Sequence, residues 1–237
     1  MRALAGAGMD PDRSGGGVMK LGKWLVVVGA VAALAAGCGR EPLKGVPPED
    51  ALKTLMEGNR RYVSAKATHP GQTAQRRTAI AGAQSPFAVV MGCSDSRVPP
   101  EVLFDQGLGD LFVVRTAGHV LDDAELGSLE YAAEHLDVHL IVVLGHERCG
   151  AVAAAVKGLE LTGHVESLVK AIKPAVEASK GMPGDPLDNA VRANVALVTR
   201  ALKSSRPLLG DLVKEGKLRI VGARYDLDSG VVEIIAP

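Results

Sequence analysis

Residues 138–150 read VHLIVVLGHERCG and set an apolar, β-branched run directly before a glycine, a histidine and a cysteine. The run Val138 to Leu144 lacks the polar–apolar alternation of a half-exposed strand, so it predicts a strand buried on both faces. The alanine-rich stretch from Gly150 to Val156 predicts a helix. A buried strand that passes directly into a helix is typical of an α/β fold with a parallel sheet.

Similar apolar runs and amphipathic stretches alternate along the rest of the chain. Further buried strands are predicted at Phe87 to Met91, Leu111 to Val114 and Leu218 to Val221, and an edge strand at Val231 to Ile235. Helices are predicted from Glu49 onward, over Asp123 to Leu136, over Val165 to Ser179 with an interruption at Pro174, and over Leu187 to Leu202. The stretch Ala67 to Arg77 is predicted to be an extended loop. The predicted fold is therefore α/β, with a mostly parallel central β-sheet flanked by helices.

Composition limits the class of protein. The 237 residues are 47% hydrophobic but only 3% aromatic, so the core must be built mainly from aliphatic side chains. The 27 basic residues balance 27 acidic ones and form no basic run, which gives no reason to expect a nucleic-acid partner. We interpret residues 1–38 as an export signal, 39–48 as a linker and 49–237 as one globular domain.

The first segment carries the three parts of an export signal. Lys20 and Lys23 precede an apolar run from Leu25 to Ala36, which is shorter than the ~20 residues a membrane-spanning helix needs. Small residues and Cys38 follow, and this pattern resembles a bacterial lipobox, although the leucine stands one position too early. We therefore expect lipid attachment at Cys38 and an exported protein anchored to a bacterial membrane, with Met1, Met9 and Met19 as the candidate start residues. The alternative is a plain secretory signal or an uncleaved anchor.

Two cysteines and a histidine lie where predicted strands end. Cys93 follows one strand by two residues, and His146 and Cys149 follow another, at the edge of an α/β sheet where ligands usually bind. Two thiolates and one imidazole suit Zn²⁺, and three protein ligands leave an open fourth position of the catalytic kind. A disulfide between Cys93 and Cys149 is the competing interpretation, since an exported protein would permit it.

Asp95 and Arg97 stand beside the first cysteine. Two thiolates cancel the charge of Zn²⁺, so water at such a site is acidified less than at a three-histidine site and needs further help. Asp95 can accept a hydrogen bond from the attacking hydroxide and orient it, provided that it stays ionised. Arg97 can pair with that carboxylate through two hydrogen bonds and keep it charged and aimed.

These motifs together resemble the β-class carbonic anhydrases. The resemblance rests on CSDSR at residues 93–97 and GHERCGAV at 145–152, and it extends to LKTLMEGNRRYV at 52–63 and VGARYDLDSG at 221–230. It covers roughly residues 49–232, which makes residues 49–237 a candidate carbonic anhydrase catalytic domain.

The resemblance implies reversible hydration of carbon dioxide to bicarbonate and a proton. It implies zinc on Cys93, His146 and Cys149, with Asp95 and Arg97 as the catalytic pair. In some members of the family the carboxylate corresponding to Asp95 occupies the fourth zinc position in a resting form. A homodimer or a higher homo-oligomer is also implied.

Three further residues receive less specific assignments. Gln84 matches a family position that lines the substrate cleft from the partner subunit, and the backbone near Gly150 can donate a hydrogen bond to bicarbonate. His119 stands where the family often has Asn, so we consider it as a proton shuttle, because the pKa of histidine suits that task. A structural hydrogen bond within its loop is the alternative role for His119.

Two rival functions remain open at this level. A relative that hydrolyses carbonyl sulfide or carbon disulfide would keep all five key residues and differ only in the shape of the cleft. A non-catalytic zinc or redox module would need only the two cysteines and His146, so the presence of Asp95 and Arg97 argues against it.

Overall fold

The computed structural model describes residues 45–237. The predicted export signal with Cys38, and most of the predicted linker, lie outside these residues. Within residues 45–237 none of the helices is both long enough and apolar enough to cross a membrane.

A five-stranded sheet forms the centre of the described domain, with strand order β2-β1-β3-β4-β5. The strands are β1 (Ala88–Gly92), β2 (Leu111–Arg115), β3 (Leu140–His146), β4 (Arg219–Tyr225) and β5 (Val232–Ala236). The first four strands pair in parallel, and β5 pairs antiparallel to β4. The helices are α1 (Pro48–Val63), α2 (Ala74–Ala79), α3 (Pro100–Leu103), α4 (Asp123–His135), α5 (Gly150–Val156), α6 (Val165–Ala178), α7 (Pro186–Ser204) and α8 (Leu209–Lys214), with a 3₁₀ turn at Ala117–His119.

Both faces of the sheet are covered, which explains the unbroken apolar runs in the sequence. Successive side chains of a strand point to opposite faces. Val90 and Val142 therefore belong to a core cluster with α1 and α3. Val89 and Ile141 belong to a second cluster with α4, α7 and α8. Burial of these β-branched side chains on both sides stabilises the parallel sheet.

The predicted α/β architecture is confirmed. The sequence-based prediction is wrong only in local detail. Pro174 does not interrupt α6, because it is exposed and water can satisfy the carbonyl that loses its backbone partner. The predicted loop Ala67 to Arg77 ends early, because Thr73 accepts a hydrogen bond from the Arg76 backbone N–H and caps α2. Helices α3 and α8 were not predicted, since four and six residues are too few to show a helical period.

Helix α1 packs closely on the segment that follows α3. A Cβ atom at Gly58 would lie 1.7 Å from the carbonyl oxygen of Phe104, so only glycine allows the two backbones to approach. One position along, the buried Asn59 side chain donates to the carbonyls of Leu103 and Gly230 and accepts from the Val232 N–H. These contacts fix α1 against the sheet.

Substitution of this glycine tests the packing of α1. We expect Gly58→Ala to lower the free energy of unfolding by about 1–3 kcal/mol, because the added methyl group forces two backbones apart. Urea denaturation of the purified protein measures the change. Gly127 in α4 is the matched control, since a Cβ there meets no atom within 4 Å. Gly127→Ala should raise stability by up to about 1 kcal/mol through helix propensity alone. An increase of similar size in both variants would contradict the close approach.

Candidate metal centre

The ends of two neighbouring strands bring the predicted ligands together. Strands β1 and β3 pair in parallel with Gly92 opposite Leu144, so both strands end at the same edge of the sheet. Cys93 directly follows β1, and His146 is the last residue of β3. Cys149 is the residue immediately before α5, so the turn between β3 and α5 brings its sulfur back toward the histidine.

The three donor atoms form one compact, buried group. The two sulfurs and an imidazole nitrogen lie within 4.8 Å of one another. Cys93 is 4% exposed, Cys149 1% and His146 0%. The two Sγ atoms are 4.0 Å apart and both cysteines are free, so the predicted disulfide alternative is wrong for this structure. The separation is close to the ~3.8 Å edge of a tetrahedron with zinc–sulfur bonds of about 2.3 Å.

The orientation of His146 leaves one ring nitrogen free for a metal. Its Nδ1 lies 2.8 Å from the carbonyl oxygen of Glu147, and a carbonyl only accepts, so Nδ1 carries the proton. The buried Nε2 then has a lone pair and makes no hydrogen bond to any described residue. A buried, unpaired acceptor is costly unless it binds something, so the donor set fits a metal ion.

The sulfur atoms lie close enough to share a proton. A hydrogen bond from the Cys149 thiol holds the pKa of Cys93 well below its ordinary value, although burial opposes this shift. The same interaction, together with burial, raises the pKa of Cys149. The Gly118 N–H also donates to the Cys93 sulfur at 3.2 Å. A metal ion that displaces the shared proton would leave both ligands as thiolates.

Asp95 and Arg97 form a pair beside this group. Arg97 donates through Nε to Oδ1 at 2.9 Å and through Nη2 to Oδ2 at 2.7 Å. This hydrogen-bonded pairing holds the pKa of Asp95 well below its usual range. Oδ2 also lies 3.7 Å from Nε2 of His146. An ionised carboxylate is thus held next to the metal donors, and both of its oxygens accept hydrogen bonds from Arg97.

Comparison with known proteins identifies the family. Residues 88–232 match the sequence profile of the family described as carbonic anhydrase. The chain belongs to the β-class carbonic anhydrase family. Carbonic anhydrase 2 of Mycobacterium tuberculosis is 43% identical over 187 residues, which cover 77% of this chain and 90% of that protein. The carbonic anhydrase of Mycolicibacterium smegmatis is 43% identical over 191 residues, which cover 79% and 93%.

A solved structure supports the same fold. The Coccomyxa β-carbonic anhydrase, determined in complex with acetazolamide, is 27% identical and superimposes with a TM-score of 0.62. The match covers 78% of this chain and 86% of that one. The mostly parallel sheet flanked by helices is therefore the fold of the family.

The two residues assigned to the substrate lie at different ends of the sheet. Gly150 is the exposed first residue of α5, directly after Cys149. Gln84 is exposed and precedes β1, whereas the metal donors follow the other end of that strand. Within one chain of this carbonic anhydrase, Gln84 and the metal donors therefore lie at opposite ends of β1.

His119 does not have the surroundings of a proton shuttle. Its side chain is 0% exposed, and burial lowers its pKa to about 4, so the ring is neutral at pH 7 and has no contact with solvent. Its Nε2 lies 2.9 Å from the side-chain nitrogen of Asn194. The geometry therefore supports the alternative, a structural hydrogen bond, and argues against the predicted shuttle.

Two residues that support the site were not predicted from the sequence. Arg115, at the end of β2, donates to the backbone carbonyls of Cys93 at 2.8 Å and Asp95 at 2.6 Å. Its position at the end of a strand next to β1 was a usable signal, because β2 stops at the same edge of the sheet. Asn194 gave no such signal, since it lies on α7 far away in the sequence and reaches the site only through tertiary packing.

Proposed function

We propose that this carbonic anhydrase hydrates carbon dioxide reversibly to bicarbonate and a proton, with Zn²⁺ held by Cys93, His146 and Cys149. One observation carries the proposal. The buried Nε2 of His146 has no hydrogen-bond partner among the described residues, lies in one group with two sulfurs, and faces an ionised carboxylate at 3.7 Å.

The donor set favours zinc over the metals that prefer oxygen. Cysteine sulfur and imidazole nitrogen are the usual ligands of Zn²⁺, whereas Mg²⁺ and Ca²⁺ take carboxylates and carbonyls. When bound, Zn²⁺ with an open fourth position acts as a Lewis acid and lowers the pKa of water there, which supplies a nucleophile near neutral pH.

The roles of Asp95 and Arg97 follow from their geometry. Asp95 accepts a hydrogen bond from the O–H group of the attacking water, so that a lone pair on the water oxygen points toward the carbon of the substrate. It does not take up the proton itself, because its pKa is held far below neutral. Arg97 keeps the carboxylate ionised and aimed through two hydrogen bonds. The net reaction adds the oxygen of water to carbon and releases one proton to solvent.

The rival functions are less well supported. A non-catalytic zinc or redox module has no need for an aligned Asp95–Arg97 pair beside the histidine nitrogen. Hydrolysis of carbonyl sulfide or carbon disulfide would use the same residues, but the similar proteins from both mycobacterial species are carbonic anhydrases. Carbon dioxide is therefore the favoured substrate.

Assembly into a homodimer or a higher homo-oligomer is part of this proposal. Strand β2 lies at an edge of the sheet and, among the described strands, pairs only with β1. All five of its residues are partly exposed. An unpaired edge of this kind is normally covered, and a second copy of the chain would cover it. The exposed position of Gln84 suits a contribution to the partner's cleft, and Gly150 is assigned to bicarbonate binding in its own subunit. Sedimentation velocity tests the assembly, and a monomer would contradict it.

We also propose that the enzyme is exported and tethered to a bacterial membrane through lipid on Cys38. The support is the sequence alone, in which two lysines, an apolar run and small residues precede that cysteine.

Removal of the Asp95 carboxylate tests the catalytic role. We expect Asp95→Ala to lower kcat/KM for carbon dioxide hydration at least about 100-fold, because the attacking oxygen loses the acceptor that orients it toward the substrate. Stopped-flow assays measure the rate, and metal analysis should show unchanged zinc. Asp211→Ala is the control, because Asp211 pairs with Arg206 on the surface of α8 and should not affect turnover. Equal rates for wild type and Asp95→Ala would contradict the mechanism. Zinc without carbon dioxide activity in the wild type would favour a rival function.

The anchor has its own test. In a bacterial host the wild type should sediment with membranes, and Cys38→Ser should move the protein to the soluble exported fraction or leave it uncleaved. Cell fractionation and mass spectrometry of the mature N-terminus measure this. An unmodified Cys38 in the mature wild-type protein would refute lipid attachment.

A further inference from the structure

The buried side-chain amide of Asn194, on α7, contacts Gly118 and His119 in the 3₁₀ turn next to the metal donors. Asn194 is 3% exposed, and its Nδ2 lies 2.9 Å from the carbonyl oxygen of Gly118 and 2.9 Å from Nε2 of His119. A carbonyl oxygen only accepts hydrogen bonds, so the NH₂ group must face it and the orientation of the amide is fixed. Both N–H bonds of Asn194 are therefore used to hold Gly118 and His119.

The ring of His119 fits this arrangement in one tautomer. Because Asn194 donates to Nε2, that nitrogen must carry a lone pair, so the proton of the neutral ring is on Nδ1. The buried Nδ1 makes no hydrogen bond to any described residue, so the contacts with Asn194 are the ones that hold the ring. The ring is fully buried and lies in contact range of Gly145, where an added Cβ would lie 3.3 Å from its Cε1. His119 thus serves as a fixed acceptor between α7 and the end of β3.

The backbone of this segment is held in an unfavourable conformation. Gly118 has φ +71° and His119 has φ +43°, a left-handed region that costs a non-glycine residue about 1 kcal/mol or more. A Cβ atom at residue 118 would also lie 2.6 Å from Cδ1 of Ile172, so the Ile172 side chain would have to shift. Two hydrogen bonds within the segment support this conformation, from the His119 N–H to the Thr116 carbonyl oxygen and from the Thr116 hydroxyl to the Val120 carbonyl oxygen. The two hydrogen bonds from Asn194 support it from outside.

The conformation aims one N–H at a metal donor. With the backbone turned in this way, Gly118 N–H points at the Cys93 sulfur at a distance of 3.2 Å. A hydrogen bond to a thiolate spreads its negative charge and fixes the direction of the remaining lone pairs. The contact therefore orients Cys93 and stabilises its charged form.

We propose that Asn194 is a positioning residue of the metal centre: it holds Gly118 and His119 so that the Gly118 N–H stays bonded to the Cys93 sulfur, which slows loss of the metal. The inference rests on the proposed zinc site. Groups that support a ligand from outside the coordination shell usually change metal affinity by about 10- to 100-fold.

A second buried asparagine provides a matched control. Asn59 is also 3% exposed, and its Nδ2 also donates two hydrogen bonds, to the carbonyls of Leu103 and Gly230. None of its partners is a metal donor or bonds to one. Asn59→Ala therefore reproduces the loss of a buried amide without touching the metal centre.

Release of zinc to an excess of chelator tests the role of Asn194. Zinc-loaded wild type, Asn194→Ala and Asn59→Ala are mixed with 4-(2-pyridylazo)resorcinol, and the rate at which the coloured complex forms is recorded. We expect Asn194→Ala to release zinc at least about 10-fold faster than wild type, and Asn59→Ala to release it at the wild-type rate. Equal release from both variants would overturn the inference and leave the proposed function intact. A wild type without zinc would overturn both.

A measurement on the wild type covers the case in which Asn194→Ala does not fold. In protein loaded with ¹¹³Cd, a scalar coupling between the metal and the Gly118 amide proton reports the N–H···S bond directly. We expect this coupling in the wild type and its reduction in Asn194→Ser, whose single hydroxyl donor cannot hold both partners. Absence of the coupling in the wild type would overturn the inference.

Discussion

Parallel strands of one sheet end at the same edge, and the pairing of β1 with β3 brings three separate donors to one point. Gly92 of β1 lies opposite Leu144 of β3, so Cys93, just after β1, and His146, at the end of β3, occupy neighbouring positions at this edge. The sheet can hold this register because β1 and β3 are buried on both faces, where a shift would misplace the apolar side chains of both core clusters. The precision of the site thus depends on the packing of the core.

Burial gives these donors their chemical character. Two sulfurs and an unpaired imidazole nitrogen in an apolar surrounding are costly to bury alone, and a metal ion compensates for that cost. Neighbouring groups fix the orientation of the donors and of Asp95 through hydrogen bonds. Arg115 holds the backbone of Cys93 and Asp95, Arg97 holds the Asp95 carboxylate, and the Glu147 carbonyl fixes the His146 ring. Arg115 and Glu147 are partly buried, whereas the Arg97 side chain is 51% exposed, so solvent competes most with the hydrogen bonds from Arg97.

The sequence predicted the strands, the principal helices and all three donors, because each leaves a local signal. Unalternating apolar runs indicate buried strands, and Cys93, His146 and Cys149 stand at their ends. Other features depend on tertiary contacts. The burial that makes His119 unsuitable as a shuttle comes from α7 and neighbouring segments, and Asn194 carries no local pattern. The continuity of α6 through Pro174 depends on which side of the helix faces water.

The central claim is that two sulfurs and one imidazole bind a single zinc ion that keeps room for solvent. X-ray absorption at the zinc edge of the purified protein, combined with metal analysis, tests it most directly. The account predicts one zinc per chain with two sulfur neighbours at about 2.3 Å and two nitrogen or oxygen neighbours at about 2.0 Å. Protein without stoichiometric zinc, a zinc ion without sulfur neighbours, or a disulfide between Cys93 and Cys149 would contradict it.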